Sequence, residues 1–181
     1  MARDDSFFAI ALIAVGVFLV FGMVGMTASG RMKTSPQGRR DIIRHEGIRY
    51  EPYKDSAGYW TIGIGHLVVP GDGVPRTTNG VPLPISEELM MTLFETDLSH
   101  AEIAILTNAR VPLTQGQFDA LTDWAFQFGA GKVRTSTLIS KLNTGDYPGA
   151  AEEFKRWVYA GGVVNPGIVA RREDNYTTFL T

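Results

Sequence analysis

The stretch EGIRYEPYKDSAGYWTIGIGHL (46–67) carries more structural and chemical information than any other part of this chain. Aromatic and β-branched residues mixed with glycines over 50–66 are typical of short strands joined by turns. Just upstream, Ser35 and Pro36 predict a helix start, an N-cap followed by proline at the first helical position. Gly47 predicts the end of that helix. We therefore expect a helix that ends at Glu46 and leads into a small sheet.

The pattern after this stretch is helical. Proline and glycine are frequent over 67–85, which indicates a loop or an irregular hairpin. Helix starts are then predicted at Ser86, at Thr114 with Gln117 as a capping box, near residue 136, at Asp146 and at Asn165. Strands that cluster early and helices that follow predict an α+β fold, with a small sheet lobe and a larger helical lobe.

Composition excludes several classes of protein. The chain has 181 residues and a formal net charge of −2, with 44% apolar and 20% charged residues. These values argue against a disordered chain, and the charge gives no basic face for nucleic acid. The absence of cysteine excludes disulfides and thiolate metal sites, and three histidines argue against a histidine-rich one. We expect neither a metal nor a cofactor.

The N-terminal run FFAIALIAVGVFLVFGMVGM (7–26) contains no charged residue. As a helix it would span about 30 Å, the thickness of a bilayer core. A secretory signal is usually shorter, so we favour an uncleaved signal-anchor over a cleaved signal peptide. The expected organisation is a signal-anchor over 1–29, a linker over 30–36 and a catalytic domain over 37–181. Basic residues after the run favour a cytoplasmic C-terminal side, although long domains are translocated largely regardless of charge.

Glu46 and Asp55 are the candidate catalytic carboxyl groups. The partial negative charge at the end of a helix favours a protonated carboxyl, which can act as a general acid. Asp55 lies in a polar turn that favours the ionised form, and Thr61 offers a hydroxyl that could hold a water. Two carboxyls in contrasting environments suit glycoside hydrolysis. The alternative is that Glu46 and Asp55 are ordinary surface acids. Four further acids are predicted to lie on solvent-exposed helix faces: Asp119, Asp123, Glu152 and Glu153.

The spacing Glu46, eight residues, Asp55, five residues, Thr61, then Gly63-x-Gly65-His66 resembles the catalytic signature of phage-type lysozymes, the endolysins of tailed phages. The resemblance continues through QFDALTDWAFQFGAG (117–131), STLISKLNTGDY (136–147), FKRWVYAGG (154–162) and Arg171-Arg172-Glu173. It implies a lysozyme-like fold with an antiparallel sheet and an inverting mechanism. Glu46 would be the general acid, Asp55 the second carboxylate and Thr61 the residue that positions water. Gly65 and Gln127 would contact substrate, and His66 would be structural.

The resemblance implies a muramidase that cuts the β-1,4 bond between N-acetylmuramic acid and N-acetylglucosamine in bacterial peptidoglycan. Two alternatives stay open, a lytic transglycosylase and a membrane-tethered peptidoglycan-binding module without activity. The N-terminal run resembles the signal-anchor-release subclass of endolysins. Its implied partners are the host inner membrane and the secretion machinery, and its implied destination is the periplasm, as a monomer once released.

Overall fold

Helix α1 (Pro36–Glu46) begins and ends where the sequence predicts. The Ser35 side chain accepts a hydrogen bond from the Gly38 N–H, and Pro36 occupies the first turn. Gly47 ends the helix with φ +74°, and its N–H donates to the Ile43 carbonyl. The computed structural model describes residues 31–55 and 58–181.

The predicted small sheet follows α1. Strands β1 (Arg49–Lys54), β2 (Trp60–Gly63) and β3 (His66–Leu67) pair antiparallel in that order. Tyr53 lies opposite Thr61, and Ile62 lies opposite His66. The pairing register of β1 with β2 shifts between Arg49 and Tyr53. The loop that follows contains one isolated bridge, between Arg76 and Pro82, which confirms its irregular character.

The remaining helices also begin at the predicted caps. They are α2 (Glu87–Asn108), α3 (Gln115–Thr135), α4 (Thr137–Asn143), α5 (Tyr147–Glu153) and α6 (Pro166–Phe179). Helix α3 has a break at Gly129, where φ is 76°. A short 3-10 helix (Phe154–Arg156) and a hairpin of β4 (Tyr159–Ala160) with β5 (Val163–Val164) were not expected.

Helix α2 joins two hydrophobic clusters. Met90, Phe94 and Leu98 pack into the cluster under the sheet, while Ala101 and Ile105 pack into the helical cluster. The helical cluster is the larger and is built around Trp124, Phe118 and Phe154, all without exposed surface. The α+β architecture with a small antiparallel sheet and a larger helical lobe is therefore confirmed.

Three of the four helix acids expected on solvated faces are buried. Asp119, Asp123 and Glu153 are 7%, 3% and 5% exposed, so that interpretation is wrong for them. Each is paired in the structure, Asp119 with Ser35, Asp123 with Arg171 and Glu153 with Lys141.

The apolar run 7–26 and the boundary at residue 29 lie outside the described residues. Over 31–55 and 58–181, none of the helices combines the length and hydropathy needed to cross a bilayer.

Candidate active site

Glu46 lies at the last position of α1 and its carboxylate meets a buried guanidinium. Arg171 Nη1 donates to Glu46 Oε1 at 2.6 Å, and the Arg171 side chain is 6% exposed. The Glu46 side chain is 18% exposed, so it remains open to a ligand on one side. Two opposing electrostatic effects therefore act on the carboxyl group of Glu46: the partial negative charge at the end of its own helix and the positive charge of Arg171.

Asp123 on α3 fixes the position of Arg171. Arg171 Nη2 donates to Asp123 at 2.8 Å and Nε at 3.1 Å, which leaves Nη1 for Glu46. The Asn175 amide donates to the other side of the carboxylate at 2.6 Å. Burial alone would raise the pKa of Asp123, but the charge of Arg171 and a hydrogen bond from His45 hold that pKa well below its usual range. Asp123 is therefore a permanent negative charge behind the site.

His45 closes the same network from α1. Its Nδ1 lies 3.4 Å from Asp123 Oδ1 and its Nε2 lies 3.0 Å from Asp174 Oδ2. Burial lowers the pKa of His45, but hydrogen bonds with Asp123 and Asp174 outweigh burial and raise it above 6.5. This ring ties α1, α3 and α6 together directly behind Glu46.

Gly65 brings the sheet lobe to the carboxylate of Glu46. It occupies the turn between β2 and β3 with φ +70°, and a Cβ added there would lie 2.5 Å from Glu46 Oε2. Only glycine combines this backbone conformation with so close an approach. The turn therefore forms one wall beside the carboxylate.

Asp55 and Thr61 belong to the β1–β2 hairpin, whose second strand leads to that turn. Asp55 follows β1, and its carboxylate accepts a hydrogen bond from the Tyr59 N–H at 2.9 Å. Thr61 on β2 is 6% exposed. Tyr53, opposite Thr61, is close enough to both carboxyl groups to respond to them. Burial raises its pKa, Arg49 lowers it, and the charges of Glu46 and Asp55 each raise it further.

Gln127 lines the same cavity as Glu46. The cavity has a volume of about 260 Å³ and is also lined by Arg171 and by residues at the start of α6, Asn165, Gly167 and Ile168. The Gln127 amide oxygen accepts a hydrogen bond from Arg172 Nη2 at 3.0 Å. The cavity thus places a carboxylate and an oriented amide on one surface.

The buried side chain of His66 lies between two other carboxylates, those of Asp97 and Asp72. Its Nδ1 is 2.8 Å from Asp97 on α2, and its Nε2 is 3.4 Å from Asp72 in the loop after β3. Asp72 also accepts hydrogen bonds from the Val69 and Val74 N–H groups and from Arg76. These contacts join the loop to the helical lobe and support a structural role for His66.

From the sequence, Arg171 received no individual role and Asp123 was wrongly placed on a solvent-exposed helix face. One feature of the sequence does indicate that these two residues are buried and paired. Asp119, Asp123 and Gln127 recur every four residues in a stretch that is otherwise apolar except for Thr122, so they form one stripe on α3. Adjacent arginines at 171 and 172 supply the charge that such a buried stripe needs. Over 31–55 and 58–181, no group of three or more histidine or carboxylate side chains is arranged to hold a metal ion.

Comparisons with known proteins identify relatives over most of the described chain. A family model described as phage lysozyme matches residues 43–175. An endolysin of Acyrthosiphon pisum secondary endosymbiont phage 1 is 36% identical over 155 residues, which cover 82% of this chain and 98% of that protein. A SAR-endolysin of Escherichia phage Mu is 38% identical over 135 residues, covering 75% of this chain and 74% of its own.

Solved structures give the same picture. An endolysin from Escherichia coli O157:H7 phage FAHEc1 has a TM-score of 0.70 and 30% identity, covering 83% of this chain and 95% of that chain. The region matched by the family model, residues 43–175, includes Glu46, Asp55, Thr61, Gln127 and Arg171.

Proposed function

Because the chain belongs to the phage lysozyme family, we propose that it is an endolysin that hydrolyses the β-1,4 bond between N-acetylmuramic acid and N-acetylglucosamine in peptidoglycan. Glu46 acts as the general acid, Asp55 assists the attacking water and Thr61 positions that water. The observation that carries the proposal is the carboxylate of Glu46, held at a helix end between the Arg171 guanidinium and the Gly65 turn. It lies in a cavity that also contains Gln127.

The roles follow from what each group can supply. Glycoside cleavage needs a proton for the leaving oxygen and a second carboxylate on the other face of the sugar. Glu46 faces the cavity with one oxygen held by Arg171 and the other beside Gly65. Asp55 is oriented by the backbone of the β1–β2 turn, where the Tyr59 N–H donates a hydrogen bond to its carboxylate. Two carboxylates with different environments divide the two tasks.

Replacing Glu46 by glutamine tests the assignment with little change of shape. General acid catalysis contributes roughly 10²- to 10⁴-fold in rate, so Glu46→Gln should lower the release of reducing ends from purified peptidoglycan by that factor. Glu51→Gln changes an exposed glutamate of strand β1; it is the matched control and should keep wild-type turnover. Turnover by Glu46→Gln at the wild-type rate would exclude Glu46 as the acid.

The same assay separates the alternative functions. A hydrolase leaves a reducing end, whereas a lytic transglycosylase leaves an anhydro ring and consumes no water. A binding module without activity would bind peptidoglycan and release neither product. Product analysis of the wild-type chain therefore distinguishes all three.

We further propose that residues 7–26 are an uncleaved signal-anchor, with the boundaries 1–29, 30–36 and 37–181, and that the domain is exported and later released into the periplasm as a monomer. The similarity to a SAR-endolysin of phage Mu supports this. Release from a bilayer requires weak hydrophobicity, and Gly16, Gly22 and Gly25 lower the hydrophobicity of the segment.

The chain directly after this segment is tied to the catalytic domain. Lys33 Nζ and the Thr34 N–H and hydroxyl all donate to Glu102 on α2, which is 3% exposed. Ser35 donates to Asp119 through both its N–H and its hydroxyl. Ser35 caps the helix that ends at Glu46, so a displacement of this short stretch would reach the site through α1. With no cysteine in the chain, activation on release depends on such repositioning rather than on disulfide exchange.

Strengthening the segment tests the release proposal. Gly22→Leu with Gly25→Leu raises its apolar surface and should delay lysis of an expressing Gram-negative host. Val20→Leu with Val24→Leu changes the same region with little gain in hydrophobicity and should lyse on the wild-type schedule. Equal timing for both pairs, or a C-terminal tag at Thr181 protected from periplasmic protease, would contradict release.

A further inference from the structure

The amide of Gln127 has a fixed orientation because its partner can only donate hydrogen bonds. Arg172 Nη2 lies 3.0 Å from Gln127 Oε1. A guanidinium carries no acceptor, so the amide atom that faces it must be the oxygen. The planar amide then directs its Nε2 group away from Arg172. Gln127 also lines the cavity with Glu46.

The surroundings of Arg172 leave it few partners other than Gln127. Its side chain has no exposed surface, and it lies 3.5 Å from Asp123 Oδ2 and 5.4 Å from the Phe128 ring. Burial lowers the pKa of Arg172 to about 9, against the favourable charge of Asp123. Two of its nitrogens, Nε and Nη1, are buried without a hydrogen-bond partner among the described residues.

A buried guanidinium with unpaired N–H groups is destabilising, and a neutral side chain of similar volume would avoid that penalty. The carboxylate of Asp123 is already paired without Arg172, because Arg171, Asn175 and His45 contact its oxygens. Among the described residues, the remaining hydrogen bond of Arg172 to a side chain is the one to Gln127. The geometry therefore links Arg172 to the orientation of the amide.

We propose that Arg172 is a positioning residue that fixes the Gln127 amide so that Nε2 donates a hydrogen bond into the cavity beside Glu46. The recognised group is an acceptor oxygen on the glycan, the carbonyl of an acetamido substituent. The site is thereby selective for N-acetylated over N-deacetylated amino sugars, because an ammonium group in that position would face another donor. This inference rests on the proposed glycan-hydrolase function.

A double-mutant cycle separates positioning from a general structural role. Gln127→Leu, Arg172→Met and the double variant are compared by kcat/KM per folded molecule on soluble N-acetylated glycan strands. A single hydrogen bond contributes about three- to tenfold in kcat/KM. Each single variant should lose about that factor, and the double variant should lose no more than the worse single one. Multiplicative losses, or full activity of Arg172→Met, would overturn the proposal.

Exchanging the donor for an acceptor tests the specificity directly. In Gln127→Glu one oxygen still faces Arg172, while the other replaces the amide nitrogen in the cavity. We expect this variant to lose more than Gln127→Leu on N-acetylated strands, and to gain severalfold in relative kcat/KM on N-deacetylated strands. An unchanged preference between the two substrates would refute the assignment. This comparison stands even where Arg172→Met fails to fold.

Controls keep the outcomes distinct. Arg156→Met removes a guanidinium that is 72% exposed and should change neither kcat/KM nor substrate preference. Arg172→Lys keeps the charge near Asp123 without the planar fork and should lose activity like Arg172→Met. Absence of glycan cleavage by the wild-type chain would refute the proposed function itself. Wild-type cleavage with a multiplicative cycle refutes only the role of Arg172.

Discussion

The structure makes a specific prediction for the effect of Gly65→Ala on stability and on the rate of hydrolysis. At φ +70° an alanine pays for a left-handed backbone, which costs about 1–2 kcal/mol. Its Cβ would also lie 2.5 Å from Glu46 Oε2, whereas ordinary contact begins at 3.4 Å, so one of the two must move by about 0.9 Å. The contact from Arg171 holds the carboxylate on its other side. A misplacement of about 1 Å in a catalytic group lowers the rate by roughly 10²-fold.

The assay pairs thermal unfolding with the release of reducing ends. Gly145→Ala is the matched control, since Gly145 has φ +81° and a Cβ there meets nothing within 4 Å. Both variants should lose about 2–8 °C in Tm. Only Gly65→Ala should also lose about 10²-fold in turnover per folded molecule. Equal turnover of the two variants would show that Gly65 does not set the position of the Glu46 carboxylate.

Two further substitutions address the other predicted site residues. Asp55→Ala should lower peptidoglycan hydrolysis by roughly 10²-fold or more without a large change in Tm, while Asp55→Glu should keep part of the activity. A fully active Asp55→Ala would remove Asp55 from the mechanism. His66→Ala should lower stability by about 1.5–3 kcal/mol with little loss of turnover per folded molecule, because the change removes charge-assisted bonds to Asp97 and Asp72. Although burial lowers the pKa of His66, the two aspartates raise it above 6.5. The stabilisation is therefore complete below that value and is lost as pH rises through the folded pKa. In melting curves against pH, His66→Ala should lack this alkaline loss, and an unchanged profile would contradict the role.

Local chemistry made the helix boundaries predictable. Ser35, Ser86, Thr114, Asp146 and Asn165 each cap a helix in the structure through a side-chain oxygen. A capping hydrogen bond involves residues two or three positions apart, so it can be read from a short window of sequence. The same holds for Gly47, where the positive φ ends α1 directly after Glu46.

The buried charges were not predictable in this way because their partners are distant in the sequence. Asp123 pairs with Arg171, 48 residues away, and Glu102 pairs with Thr34, 68 residues away. In a window of sequence each looks like one acid among others on a helix. The β4–β5 hairpin was not predicted because strands of two residues are too short to show the alternation of apolar and polar residues that indicates a strand.

These distant pairs give the proposed acid its environment. In the proposed reaction Glu46 transfers its proton to a leaving oxygen, and the negative charge then develops on a carboxylate that Arg171 Nη1 already contacts at 2.6 Å. Asp123 holds the same guanidinium through Nε and Nη2, so the donor does not have to reorganise as that charge appears. Helix α1 presents the carboxyl group, and α3 and α6 together supply the fixed charge that stabilises it after proton transfer. The short motif around Glu46 can therefore identify the candidate acid, while Asp123 and Arg171, which are distant from it in the sequence, determine how its carboxylate is held.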